Sequence, residues 1–265
     1  MKKYLWLLLA LLWIDVNAAF AEIDAQARGL EIAQEFDRRD QGYQHYSATM
    51  EMILINQNGD SSRRKLHTKT LERPQSEDES ERRILIFDEP RDVRGTVLLT
   101  ASRKRSDDEQ WLYFPAIKRV KRIAAKSRSG PFMGSEFAYE DFSAPEVEKY
   151  RYRYLRTEPC HADECYVMER YPTDTYSGYS KQVLWIDSRE YRLFKVEFYD
   201  RKETLMKVLV IDDYQQFKDR YWRAGTMAME NRQTGKKTVL NWRDYDFTAE
   251  LNLRDFQPSS MQNQF

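Results

Sequence analysis

Along residues 46–55 the chain alternates with a period of two. Tyr46, Ala48, Met50, Met52 and Leu54 fall on one side, and Ser47, Thr49, Glu51, Ile53 and Ile55 on the other. Successive side chains of a strand point to opposite faces, so this segment can fold as a long strand with one apolar face, whereas a helix would scatter that face. Comparable runs recur. Asn58-Gly59-Asp60 is a hairpin signal, and residues 64–72 read as the polar partner strand. Residues 74–80 read as an acidic loop. Residues 83–87, 96–101 and 110–114 follow as strands, the last stopped by Pro115. In the second half the candidate strands are 149–156, 165–171, 181–186, 193–199, 204–211, 221–230 and 237–242, with turns at Asp187-Ser188-Arg189 and Thr234-Gly235-Lys236. Residues 251–256 read as a short helix or loop. Short alternating segments with short connections imply a mainly β chain built on one large antiparallel sheet, of about ten or eleven strands.

One segment departs from this period. In residues 23–40, Ile23, Ala27 and Leu30 fall at i, i+4 and i+7, with Ala33 and Phe36 beside them, and Gly42 stands just beyond as a stop. This predicts an amphipathic helix that covers the inner face of the sheet, giving an α+β, open half-barrel. A helix of about 18 residues spans about 27 Å, so part of a wide sheet would stay uncovered and leave a cavity. Met50, Met52, Met206, Met227 and Met229 lie on candidate strands, and with Leu54 they could line such a cavity, because methionine is a flexible apolar filler. Ordinary core packing is the competing reading for each of them.

The ends and the cysteines suggest a compartment. Lys2 and Lys3 precede an apolar run, residues 4–14, and then Ala19-Phe20-Ala21, the pattern of a cleavable secretory signal over residues 1–21. The run is shorter than the roughly 20 residues that span a bilayer. The expected mature chain, residues 22–265, reads as a single domain exported to the periplasm of a Gram-negative bacterium. Without Lys2, Lys3 and Asp15 its net charge is about −1, which argues against nucleic acid as a main partner. Cys160 and Cys165 in CHADEC read as a local disulfide in an oxidising compartment. The alternative is a redox or metal site using His161, Asp163 and Glu164, but a redox pair normally has C-x-x-C spacing and zinc needs about four ligands.

Residues 111–142, WLYFPAIKRVKRIAAKSRSGPFMGSEFAYEDF, combine aromatics, a dense run of cations and a Gly-Pro-Phe-Met-Gly turn. Trp111 and Tyr113 share one strand face, and Leu112 and Phe114 the other. Lys118, Arg119, Lys121 and Arg122 would put cations on both faces of a following strand, as at a sheet edge or loop rim. Phe132 and Met133 would sit on a turn tip, and Ser135 could cap a short helix. Three readings compete: a solvated charged hairpin; a ligand gate with Phe132 and Met133 as a lid and Arg119 or Arg122 at an anionic headgroup; and a dock for an acidic partner protein. Enzyme chemistry has little support. The chain has three histidines, no G-x-S-x-G, no P-loop and no metal-spaced histidine pair. Glu140 and Asp141 are adjacent, and neighbours on a strand would face opposite ways.

The same block resembles the signature of the periplasmic outer-membrane lipoprotein-sorting family, the LolA-like proteins, in the branch found with RND-type exporters. That signature reads W-x-Y-x-P-A-x-K-R-x-R-R-I, then F-M-G-S-D-F-x-Y-E-D. Trp111, Tyr113, Pro115, Ala116, Lys118, Arg119, Arg122, Ile123, Phe132, Met133, Gly134, Ser135, Phe137, Tyr139, Glu140 and Asp141 match it. Lys121 replaces an arginine and Glu136 an aspartate, each keeping the charge. The match is specific over residues 80–145. It implies an open half-barrel with a helical cover and an apolar cavity for acyl chains, no cofactor and no metal. The expected activity is that of a monomeric carrier or chaperone that binds a lipid, or the acyl chains of a lipoprotein, and passes it between membrane partners, with an inner-membrane RND-type exporter or an outer-membrane acceptor as the candidates. Trp111, Tyr113, Phe132, Met133 and Phe137 would join the cavity and lid, and Lys118, Arg119, Arg122, Tyr139, Glu140 and Asp141 would contact the headgroup or a partner. The alternative is an exporter-docking accessory or sensor that binds a protein without carrying lipid.

Overall fold

The computed structural model describes residues 2–73, 76–161 and 163–264, with residues 2–20 as helical backbone alone. The predicted signal segment therefore lies, except for Ala21, outside the fully described residues, as does part of the predicted loop 74–80. The chain forms one helix, α1 (Lys2–Asp40), and fifteen strands among the described residues. The first six are β1 (His45–Ile55), β2 (Ser61–Glu72), β3 (Glu79–Glu89), β4 (Val97–Arg103), β5 (Glu109–Phe114) and β6 (Arg119–Ile123). The next five are β7 (Tyr150–Cys160), β8 (Asp163–Pro172), β9 (Tyr179–Asp187), β10 (Leu193–Asp200) and β11 (Leu205–Asp212). The last four are β12 (Gln215–Phe217), β13 (Tyr221–Arg223), β14 (Thr226–Asn231) and β15 (Lys237–Asp246). Thirteen strands form one open antiparallel sheet in the order β6-β5-β4-β3-β2-β1-β15-β14-β11-β10-β9-β8-β7, and β12 and β13 form a separate pair. The sheet is thus two meanders joined where β15 lies beside β1, wider than the sequence alone implied.

Register fixes the two faces. Met50 opposes Leu66, and Leu66 opposes Phe87. One row over, Leu85 opposes Leu98, and Leu98 opposes Leu112. These residues belong to the main core on the inner face. On the outer face Ile84 opposes Leu99, which opposes Trp111, and Ile86 opposes Val97, which opposes Tyr113. This second core is closed by Phe256 and Met261 of the C-terminal segment. Trp111 and Tyr113 therefore lie on the outer face, away from the inner core where cavity residues were expected. A strand apolar on both sides carries no signal for which side is which.

The buried stripe of α1 also differs from the predicted one. Gly29, Ile32 and Ala33 are buried, with Ala25 and Phe36 half-buried, whereas Ile23, Ala27 and Leu30 are exposed. The helix lies against β7, and a Cβ on Gly29 would fall 2.8 Å from Tyr154 N and 2.9 Å from Arg153 N. That close approach turns the helix onto its glycine face. The predicted strand 221–230 is broken as well: Gly225 N donates to Asp213 O at 2.8 Å, so β13 and β14 enter different sheets. Cys160 and Cys165 are disulfide-bonded across the β7–β8 hairpin, as expected.

Residues 124–149 run from one edge of the sheet, β6, to the other, β7, and cross the inner face. Arg128 joins distant turns on the way: it donates to Asp108 O, and its Nη2 lies 2.9 Å from Asp174 Oδ2. Lys149 pairs with Asp108 too. These contacts hold one end of the curled sheet together.

Candidate functional site

The crossing segment places the F-M-G-S-E-F-A-Y-E-D motif. Met133 and Gly134 both adopt left-handed backbone, at φ 50° and 79°. The pair reverses the chain so that Phe132 N donates to Phe137 O at 2.7 Å. Ser135 follows a single 3-10 turn, Phe132–Gly134, as its C-cap, and so does not begin a helix. Phe132 is fully buried, with its ring against Phe87, Tyr139 and Phe142. It is thus a core residue and not the tip of a turn, while Met133 is half-buried and Arg64 Nη1 donates to its carbonyl at 2.6 Å.

Glu140 and Asp141 lie on another 3-10 turn, Tyr139–Phe142, and not on a strand. Glu140 accepts from Ser177 Oγ at 2.7 Å and Gly178 N at 2.8 Å. Burial pushes its carboxyl up, with the Asp141 charge beside it adding to the effect. Asp141 accepts from Ala138 N at 2.7 Å and from Tyr179 Oη at 2.9 Å, and pairs with Lys207 Nζ at 3.5 Å. Glu136 accepts from Asn231 Nδ2 at 2.7 Å. The acidic end of the motif therefore fastens the crossing segment to the second meander, through β9, β11, β14 and the β8–β9 turn, which accounts for those charges structurally.

The basic residues lie elsewhere. Lys118 precedes β6, and Arg119, Lys121 and Arg122 lie on this edge strand; all four are exposed, as are Val120 on the strand and Ile117 in the turn before it. Arg122 pairs with Glu109 at 2.8 Å.

A cavity of about 590 Å³ opens between the last turns of α1, the β12–β13 pair and the inner face of the sheet. This lies within the usual 300–1,000 Å³ of small-molecule sites. Its apolar and aromatic walls include Phe36, Tyr46, Leu193, Ile211, Met227 and Trp242. Of the residues expected to line it, Met227 does so. Met50, Met52, Met229, Phe132 and Phe137 are buried in the adjoining core, and Leu54, Met133 and Met206 pack against that core. Lys118, Arg119 and Arg122 do not line this cavity.

Arginines missed by sequence reasoning do line it. Arg83 Nη2 lies 2.9 Å from Glu81 Oε1, and Arg223 Nη1 lies 2.5 Å from Asp40 Oδ1. Burial disfavours charge on both guanidiniums, but the facing Glu81 and Asp40 carboxylates outweigh it and hold both protonated. Burial raises the Tyr214 and Tyr245 phenols, keeping them neutral; they donate to Leu193 O at 2.6 Å and Ala224 O at 3.0 Å. A sequence signal for Arg83 existed: it shares a strand face with Leu85 and Phe87, so a cation stands in an apolar row.

An open curled sheet, covered by one helix and hollow beneath its end, defines a half-barrel binding fold. A domain from Vibrio parahaemolyticus described as outer membrane lipoprotein-sorting is 50% identical, and the match covers 89% of this chain and 99% of that one with a TM-score of 0.86. A DUF1329 family protein from Desulfovibrio piger is 27% identical over 89% of this chain and 99% of that one, with a TM-score of 0.84. A LolA superfamily protein from Nitrosomonas europaea shares the fold at 20% identity, covering 86% and 96% of the two chains, with a TM-score of 0.67. A family model described as an uncharacterized protein matches residues 79–263. No curated protein matches. The chain belongs to the outer membrane lipoprotein-sorting, LolA-like family.

Proposed function

We propose that this protein is a periplasmic carrier or chaperone, acting without catalysis, that holds the acyl part of a lipid or lipoprotein and passes it between membrane partners. The observation that carries this reading is the cavity of about 590 Å³ beneath the end of α1, walled by aromatic and aliphatic side chains. Each buried methylene contributes about 0.8 kcal/mol, so a few suffice for micromolar binding after the cost of immobilisation. The description of the Vibrio relative as lipoprotein-sorting supports both the ligand class and the compartment. The test is to purify residues 22–265 and analyse organic extracts by mass spectrometry. Copurifying lipid is expected; no lipid, together with no uptake of a fluorescent fatty acid, would sink the proposal.

A second reading rests on the exposed edge strand. Val120, between Arg119 and Lys121, is 40% exposed, and Ile117, next to Lys118, is 62% exposed, which suits docking to an acidic face of a membrane partner such as an RND-type exporter. Charge reversal at Lys118, Arg119 and Arg122 would then abolish a pull-down while lipid binding survives. If binding and pull-down fail together, the two roles are not separate.

A further inference from the structure

We propose that the cavity selects amphiphiles bearing an anionic group, a carboxylate or a phosphate, which Arg83, Arg223 and Trp242 bind at its inner wall. The proposal rests on the carrier reading and narrows its ligand. Its basis is a set of buried donors without acceptors on residues of this cavity. Six arginines line the cavity, together with Asp40, Glu190 and Asp219. Four of the six are engaged by other partners. Arg38 and Arg39 pair with Glu35, Arg192 pairs with Asp187, and Arg220 donates to Gln41 O at the end of α1.

Arg83 and Arg223 differ. Each offers one side of its guanidinium to a carboxylate, and each Nε–H is buried without an acceptor. Arg223 is 9% exposed and is surrounded by the rings of Tyr43, Tyr46 and Phe247. Trp242, on the same cavity, also has a buried indole N–H without an acceptor. Buried donors are nearly always paired, so three unpaired ones on residues of a single cavity call for acceptor atoms there. A carboxylate or phosphate supplies several acceptors together with the charge that guanidinium favours. Ile211, Met227 and Leu193 on the same walls suit an attached acyl chain.

The experiment uses the mature chain freed of copurified lipid and loaded with a neutral naphthylamine probe. The competitors are hexadecanol, hexadecanoate, hexadecyl phosphate and inorganic phosphate. Hexadecanoate and hexadecyl phosphate should displace the probe at concentrations about tenfold lower than hexadecanol, the effect of one charge-assisted hydrogen bond. Inorganic phosphate should not displace it. Trp242→Phe, which keeps the ring and removes the donor, and Arg83→Gln should narrow that preference, read within each variant as the ratio of hexadecanoate to hexadecanol displacement; thermal melting verifies their folding. Equal displacement by all three chains overturns the anion selectivity and leaves the carrier reading standing. Displacement by inorganic phosphate alone overturns the amphiphile. Displacement by none overturns the carrier reading itself.

Discussion

Phe132 packs its ring 4.7 Å from that of Phe142, 5.4 Å from Tyr139 and 5.7 Å from Phe87. Truncating a fully buried aromatic removes its transfer energy and leaves a void. Phe132→Ala should therefore cost about 3–5 kcal/mol by chemical denaturation, and the half-buried Met133→Ala distinctly less. Equal losses would mean that the two share one environment, as a lid would require. Glu146 makes a second prediction at this scale. It is 8% exposed, and burial pushes its carboxyl up to about 7, with Asp37 and Glu81 adding to the rise and Lys149 opposing it. A carboxyl whose pKa is higher in the folded state binds its proton more tightly there. Its contribution to stability is therefore full below about pH 4.5 and is lost as pH rises through about 7. Relative to Glu146→Gln, the wild type should lose about 2–3 kcal/mol between pH 5 and pH 8, measured by urea unfolding at each pH. Parallel pH profiles for the two proteins would contradict this.

Helix α1 shows what an element owes to a single close approach. Gly29 lets the helix backbone lie against β7, and a larger residue there meets Tyr154 N and Arg153 N, backbone atoms that cannot swing aside. Gly29→Val should cost about 1–3 kcal/mol as an overpacking change and speed hydrogen exchange in β7, whereas Leu30→Ala, on the exposed face, should change stability by about 0.5 kcal/mol or less. The reverse order would restore the stripe Ile23-Ala27-Leu30 that periodicity favours. This is also where the sequence was legible and where it was not. Period-two alternation located nearly every strand, because the pleat acts directly on neighbouring residues. It misplaced the helix stripe, because glycine carries no apolar signal although it can lie deepest. It could not assign Trp111 and Tyr113 to a face, because β5 is covered on both sides. It missed β12 and ran β13 into β14, because three-residue strands are too short to show a period. The aromatic and acidic motif was visible as a unit, but its role in crossing the inner face depends on partners such as Tyr179 and Asn231, dozens of residues away.

At the scale of the whole molecule the cavity joins two meanders that meet in the sheet only at β1 and β15. Thr68 and Arg83 come from β2 and β3 of the first meander, Leu193 and Ile211 from β10 and β11 of the second, and Arg39 from the helix above. No pattern along the chain encodes this meeting, which follows from the curl of the sheet and from where α1 ends. A ligand that fills the space touches all three parts, so its binding free energy should appear as stability of the assembled half-barrel. At a hundred times its dissociation constant a ligand adds about 2.7 kcal/mol, which for a chain of this size raises the melting temperature by about 5–10 °C. Saturating hexadecanoate should produce that shift and slow amide exchange in β3 and β11 together, while β6, whose residues do not line the cavity, keeps its rate. Protection confined to β5 and β6 would move the binding site to the basic edge, and with it the choice between carrier and docking module.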